Sequence, residues 1–342
     1  MAITRDWQCG FETISGDEFT DGRFNSSQTA YTGARSNSIN TAYPGLSYRS
    51  FYQDISASAQ KRVGFHYRAT QFGTSGVGVF SFRSGALRTV ELKIYPSYDL
   101  ELFVNDVSKG YTSNAPLVID TWFHIGLDVK VDSSSGWANV YLNGMVTPIL
   151  SFSGNTGSDN ITRAVFGTDY ELAAGGYNDW LYDDCYIDDT TGEAAPAPVP
   201  LKRFYWLAPN ASGSFSQWNG SDGDSVNNYA LVDERGPNDS DYVESDAADE
   251  YDSYGMNTQT IVSGETLKAV IPIVRAQKFG TGEQIKVGLR YSGVNDIGSA
   301  RDVLYGGYEY LWERFTTKPG GGAWNQSAID DFELLIQSSG SF

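Results

Sequence analysis

Grouped carboxylates are the residues of this chain best equipped for chemistry. Asp183-Asp184 and Asp188-Asp189 share one strand-like run, with Asp169, Glu171 and Asp179 shortly before it. Hard oxygen ligands crowded at a strand end can fill the shell of about six to eight ligands that calcium takes, which makes Asp183, Asp184 and Asp188 candidate calcium ligands. The plainer reading is that they are solvated turn residues and edge charges that block stray sheet pairing. It is preferred because no spaced calcium loop is present, and no cofactor is required. Asp222-Gly-Asp224 poses the same choice. A different chemistry is offered by Tyr177-Asn178-Asp179-Trp180, introduced by Gly175-Gly176. Sugar sites combine an aromatic platform with carboxylates or amides that hold hydroxyls. Tyr177, Asp179 and Trp180 are therefore candidate glycan-binding residues, the alternative being that Trp180 opens a core strand.

Catalysis finds less support. The two histidines, His66 and His124, both stand on strand-like runs, and no nucleophile elbow, His-Glu-x-x-His or clustered Cys/His set occurs. Retaining glycoside hydrolysis on a strand needs two carboxylates on one face, as Glu-x-Asp-x-x-Glu supplies. That pattern is absent, and in Asp183-Asp184 and Asp188-Asp189 adjacent carboxylates fall on opposite faces. The expectation is that the chain is not an enzyme.

The elements that would carry these residues are strands. In residues 121–144, Phe123, Ile125, Leu127, Val129 and Val131 alternate with His124, Asp128 and Lys130, a two-residue period with one wet face that places His124 toward solvent. A polar turn and a second run, Trp137 to Leu142, lead to Asn143-Gly144, a dipeptide suited to the positive φ angles of a hairpin. Similar runs occur at Trp7–Thr13, Ser50–Ile55, Val63–Thr70, Gly78–Phe82, Thr89–Tyr95, Leu100–Val104, Arg163–Gly167 and Trp180–Ile187. Short strands at near-regular spacing predict an all-β sandwich or jelly roll.

With 342 residues, about two domains are expected. The stretch 191–200 is rich in proline and alanine and reads as a semi-rigid linker, which divides the chain into domains 1–190 and 201–342. The second opens with the strand-like KRFYWLAP. It then carries eleven carboxylates against one base between Asp222 and Asp252, a surface excursion that ties down on a partner or a cation. Strand character returns at Leu267–Arg275, Gln284–Tyr291, Tyr308–Phe315 and Ile329–Gln337, which suits a second β-sandwich. A net charge of −18 disfavours nucleic acid and anionic lipid as partners. The N-terminus lacks a secretory pattern and no long apolar run occurs, so synthesis in a cytoplasm without membrane insertion is expected.

Trp122, His124, Tyr141, Leu142, Asn143 and Gly144 resemble the core of laminin G-like domains, which are concanavalin A-like jelly rolls. A wider resemblance, to structural proteins of tailed bacteriophages, rests on Trp180, Asp183, Asp184 and Tyr186 to Gly192, on the loop Tyr229–Tyr242 with Val232-Asp233-Glu234, and on Lys318–Phe332 with Pro319, Trp324 and Ile329. Cys185, in place of an aliphatic residue, and the proline-rich linker depart from that pattern. The resemblance implies a virion structural protein on the particle surface, as head decoration, head fibre or tail component, in a homo-oligomer docked on capsid or tail proteins. The alternative is a lectin-like adhesin that binds a host-surface glycan. Because first and last strands of concanavalin A-like sandwiches tend to be neighbours, the resemblance also brings Cys9 near Cys185, as a disulfide or as two buried thiols.

Overall fold

The structure, a computed structural model, describes residues 4–9, 21–23, 39–40, 49–69, 76–113, 116–168, 180–200, 202, 204–234, 238–262 and 264–342. The chain divides into two units, Met1–Phe204 and Tyr205–Phe342. The first contains β1 (Thr4–Cys9), β2 (Asp21–Arg23), β3 (Ile39–Asn40), β4 (Arg49–Ser58), β5 (Gln60–Ala69), β6 (Val77–Ser84), β7 (Leu87–Ile94), β8 (Leu100–Val104), β9 (Val107–Tyr111), β10 (Phe123–Lys130), β11 (Gly136–Leu142), β12 (Leu150–Gly154), β13 (Ile161–Thr168) and β14 (Trp180–Asp189). One seven-stranded sheet runs β1-β14-β5-β10-β11-β12 with β3 also on β14; the other runs β2-β4-β13-β6-β7-β8-β9. The fold is the expected jelly-roll sandwich.

Alternation builds its core. Val63, Phe65, Tyr67, Ile125, Leu127 and Val129 from the first sheet meet Phe51, Phe80, Phe82, Val90, Leu92, Leu102 and Phe166 from the second, all essentially inaccessible to water. Phe65 lies 5.6 Å from Phe80 and 5.5 Å from Phe166 between ring centroids, so aromatic pairs join the two sheets. The Tyr182 hydroxyl reaches across and donates to the Val79 carbonyl at 2.7 Å, which satisfies a polar atom that would otherwise be costly there. In the β1–β14 register Cys9 stands directly opposite Cys185. The Cα spacing of such antiparallel partners, about 4.5–5.5 Å, lies inside the span of a disulfide.

The second unit contains β15 (Pro209–Ser216), β16 (Asn219–Gly220), β17 (Val243–Glu244), β18 (Tyr251–Met256), β19 (Ile273–Ala276), β20 (Glu283–Tyr291), β21 (Val294–Ile297), β22 (Arg301–Asp302), β23 (Glu309–Trp312), α1 (Gln326–Asp331) and β24 (Glu333–Gly340). A six-stranded sheet, β15-β18-β24-β20-β21 with β22 on β20, packs Tyr254, Ile285, Val287, Leu334 and Ile336 against Leu311 and Val274 of the β19–β23 pair. No helix among the described residues is long and apolar enough to cross a membrane.

Two expectations fail near the start of this unit. Lys202 and Phe204–Ala208 form no strand; β15 begins only at Pro209, after the aromatic run. The acidic stretch is also tied into the fold. It contains β16, β17 and a short 3-10 helix, Asn228–Leu231, and its Tyr229, Val232 and Val243 pack on the core beside Trp218. The buried Asn228 amide donates to the Trp218 carbonyl at 2.9 Å and to Asp252 Oδ2 at 2.7 Å, and the Tyr254 hydroxyl donates to the same oxygen at 2.9 Å. An apolar residue every few positions, rather than charge density, decides where this segment goes.

Asp252 has a measurable consequence. Burial pushes its carboxyl above the ordinary aspartate value, opposed by hydrogen bonds from Asn228, Tyr254 and the Ser253 N–H. A raised folded value means the folded chain binds the proton more tightly than the unfolded chain. Stability is then greatest below the unfolded value, about 4, and declines as pH rises through the folded one. Urea midpoints in metal-free buffer are expected to show this decline, and Asp252→Asn to flatten it; equal slopes for both proteins would assign the dependence to other groups.

Candidate functional site

The wet face expected for β10 is buried. His66, His124 and Asp128 are each at most 3% exposed, because the proline-rich segment after β14 is laid across the outer face of the first sheet. The stretch read as a linker is therefore a strap. Val199 is fully buried against Tyr141 and Tyr186, with Phe204 beside them. What admits it is glycine: Gly64 and Gly126 are direct partners in the β5–β10 register, and a Cβ on Gly126 would collide with Val199 while one on Gly64 would collide with the Tyr186 ring. Glycine inside a strand commonly marks such a close approach.

Polar bonds fix the strap. The Tyr186 hydroxyl donates to the Pro200 carbonyl. Gln60 takes the Gly192 N–H at 2.8 Å and donates to the Glu193 carbonyl at 2.9 Å. Arg62 bridges Asp128 at 3.1 Å and Glu193 at 2.6 Å. The remaining Asp128 oxygen accepts from Trp137 Nε1 at 3.0 Å and the Ala197 N–H at 3.2 Å. Burial is the largest influence on Asp128 and holds its carboxyl above the ordinary value, with Arg62, Ala197 and Trp137 opposing it. Burial alone would lower Arg62, but the charges of Asp128 and Glu193 overcome it and leave that guanidinium raised.

The three aspartates weighed as candidate calcium ligands are brought onto this face but engage different partners. Asp183 stands opposite His66 and accepts the Asp184 N–H at 2.7 Å. Asp184 sits at a register shift with φ 49°, accepts the Phe204 N–H at 2.9 Å and lies 3.3 Å from His66 Nδ1. Asp188 pairs with Lys202 at 2.8 Å, and that ammonium also lies over the Tyr186 ring. The bulge between Asp183 and Tyr186 separates the carboxylates that sequence places together. Among the described residues no three His, Cys, Asp or Glu side chains are grouped to hold a metal. His66 and His124 are ring neighbours, 5.0 Å apart, beneath the strap.

Of the proposed glycan residues, Tyr177 and Asp179 lie outside the described residues. Trp180 opens β14 opposite Ala69. The sequence reading passed over a second surface, the outer face of the other sheet. There Arg163 grips Asp54 with two hydrogen bonds of 2.6 and 3.0 Å and lies 3.9 Å over the Tyr52 ring. Farther along, Glu91 lies 3.4 Å from Lys93 and 3.8 Å from Arg88, and Lys93 stands 4.2 Å over Phe103. Alternation with core residues Val90, Leu92, Leu102 and Ala164 was the available signal.

No family model matches this chain and no curated protein matches it. Solved structures are similar in part. A sialidase has TM-score 0.40 at 14% identity over 55% of this chain, which spans 19% of the sialidase's length. The catalytic domain of a glycoside hydrolase family 131 protein from Coprinopsis cinerea has TM-score 0.37 at 15% identity, covering 58% of this chain and 98% of that one. The carbohydrate-binding module CBM66 from Bacillus subtilis has TM-score 0.30 at 8% identity, covering 48% and 92%. These are likenesses of β-sandwich architecture. They correct one expectation: with a sialidase and a hydrolase catalytic domain among the neighbours, the assignment of this chain as a non-enzyme is withdrawn.

Proposed function

We propose that the first sandwich is a carbohydrate-recognising module that meets its ligand on the outer face of the second sheet. The observation that carries this reading is the contrast between the two outer faces. One is sealed by the strap, whereas the other carries Tyr52, Arg163, Arg88, Glu91, Lys93 and Phe103 in adjoining rows, with Asp54 held in a bidentate pair. Carboxylates and guanidinium groups held by one another are pre-set to exchange hydrogen bonds with sugar hydroxyls, and aromatic rings beside them suit the apolar faces of a pyranose. This puts the glycan-binding alternative ahead of the virion role.

The test is affinity electrophoresis of the whole chain through a panel of neutral and anionic polysaccharides, with released reducing ends measured in parallel. Retardation by one polysaccharide class is expected, and it should weaken about tenfold or more, roughly 1.4 kcal/mol, when Arg163→Ala and Lys93→Ala are combined. No retardation by any polysaccharide, or equal retardation of the double variant, sinks the reading. Release of reducing ends would extend recognition to turnover.

The virion-surface role is the second reading, and one observation favours it. Ile273 and Trp312 face each other across β19 and β23, 41% and 54% exposed, and Phe279, Leu304 and Tyr305 are more than half exposed. An uncovered apolar group of this kind suits contact with protein.

A further inference from the structure

We propose that the ligand of the second sheet's outer face is a polyanionic glycan, whose carboxylate or sulfate oxyanions lie along a row of three arginines. This rests on the carbohydrate reading of that face and names the class of sugar it takes. Arg163 of β13 stands opposite Arg83 of β6 in the sheet register, and Arg83 stands opposite Arg88 of β7. Residues directly opposite in register share a face. A register shift between Phe82 and Arg83 brings Arg88 to the outer side, where it comes within 3.8 Å of Glu91. Three guanidinium groups on neighbouring strands thus form one row, across about 10 Å of sheet.

Like charges placed directly opposite destabilise a strand pair, and arginine does not shed its charge. Arg83 has a cation as its register partner on both sides, in a chain whose 42 acids outnumber its 24 lysines and arginines. Acids close the two ends of the row. Asp54 takes Arg163 through two hydrogen bonds of 2.6 and 3.0 Å, and Asp106 lies 3.3 Å from Arg88. Their side chains are 49% and 67% exposed. Ion pairs so open to water contribute little, and a ligand oxyanion can take the place of either acid. The Arg163–Asp54 fork already displays the two-bond geometry that such an oxyanion would adopt. A linear chain with charges at intervals meets the three arginines in turn, and the Tyr52 ring, 3.9 Å from the Arg163 guanidinium, adds aromatic surface at one end. The net charge of −18 repels polyanions at large, so their capture depends on this local row.

The experiment is depletion of the full chain onto beads bearing polygalacturonate, alginate, hyaluronan or dextran sulfate. Fully methyl-esterified polygalacturonate and plain dextran serve as the neutral counterparts. Binding to a polyanionic bead but not to the neutral ones is expected, and the bead that binds tells carboxylate from sulfate. The dissociation constant should rise at least about tenfold in Arg83→Gln but not in Arg301→Gln, which removes a partly exposed charge from the second unit. Arg88→Gln repeats the measurement where Arg83→Gln fails to fold. Binding to neutral beads alone, or equally to both kinds, overturns the inference and leaves the carbohydrate reading standing; binding to none sinks both. Undiminished binding by Arg83→Gln, or an equal loss in Arg301→Gln, overturns the row.

Discussion

Arg62→Ala is expected to cost about 3–5 kcal/mol of folding stability, the loss found when one partner of a buried ion pair is removed. Asp128 would remain 1% exposed in the sheet with only the Trp137 and Ala197 N–H groups to hold its charge. Glu193 would lose its 2.6 Å contact at the same time, so one substitution both strands a charge and loosens the strap. Urea unfolding at neutral pH measures the loss. A companion variant separates the causes: Arg62→Met with Asp128→Asn removes both charges while the amide oxygen still accepts from Trp137 and Ala197, and is expected to recover part of the stability. A single substitution costing under about 1 kcal/mol would show that Asp128 is hydrated and that the strap does not seal it.

Gly126→Val is the second large effect. A β-branched side chain at this position occupies the space of Val199, so either the strand distorts or the strap leaves. Overpacking costs about 1–3 kcal/mol, and exposing a Val199 that is fully buried adds about 1.5–3 kcal/mol. Limited proteolysis distinguishes the two outcomes, because a released strap is cut within residues 193–200 while a distorted sheet leaves that stretch protected. Gly126→Ala combined with Val199→Gly is expected to restore protection in part, because the Val199 Cβ is itself the nearest atom to a Cβ at position 126. Protection and stability unchanged in Gly126→Val would mean that Val199 does not rest on this glycine.

The β10–β11 pair was legible because its two-residue period and polar turn are local signals, as is the Asn-Gly turn that follows β11; Asn143 does adopt φ 51°. β9 and β12 were missed because VSKGY and LSFSG are short edge sequences, the first without apolar alternation and the second with only Leu150 and Phe152 to show one. The strand read through Ile329–Gln337 begins instead as α1, where Asn325 caps the Ala328 N–H, a one-turn signal too brief to compete with the strand pattern beside it. The strap was the largest miss. Pro-Ala alternation says that a segment cannot join a ladder, but not whether it lies in water or on a sheet. The clue lay at Gly64 and Gly126, two glycines in otherwise bulky strands, which mean little until the register sets them side by side. For the candidate sites the difficulty was of another kind. Asp183, Asp184 and Asp188 are near in sequence, yet the bulge at residues 183–186 sends them to different partners. Conversely, Tyr52, Glu91, Lys93 and Arg163 are scattered along the chain, and only pairing assembles them.

The pairing of β1 with β14 has a meaning for how the molecule is made. A ribosome delivers Thr4–Cys9 first and Trp180–Asp189 last among the strands of the first unit, and the strap later still. The opening strand must therefore wait, without its hydrogen-bonded neighbour, for the whole intervening chain to emerge. The sheet's polar outer face stays wet until Val199 and Phe204 clear the exit tunnel. Closure is thus a late, long-range event, which slows folding relative to the local hairpins. The natural cut point for producing this unit alone falls after Phe204, since ending at residue 190 would deliver a sandwich with its seal missing.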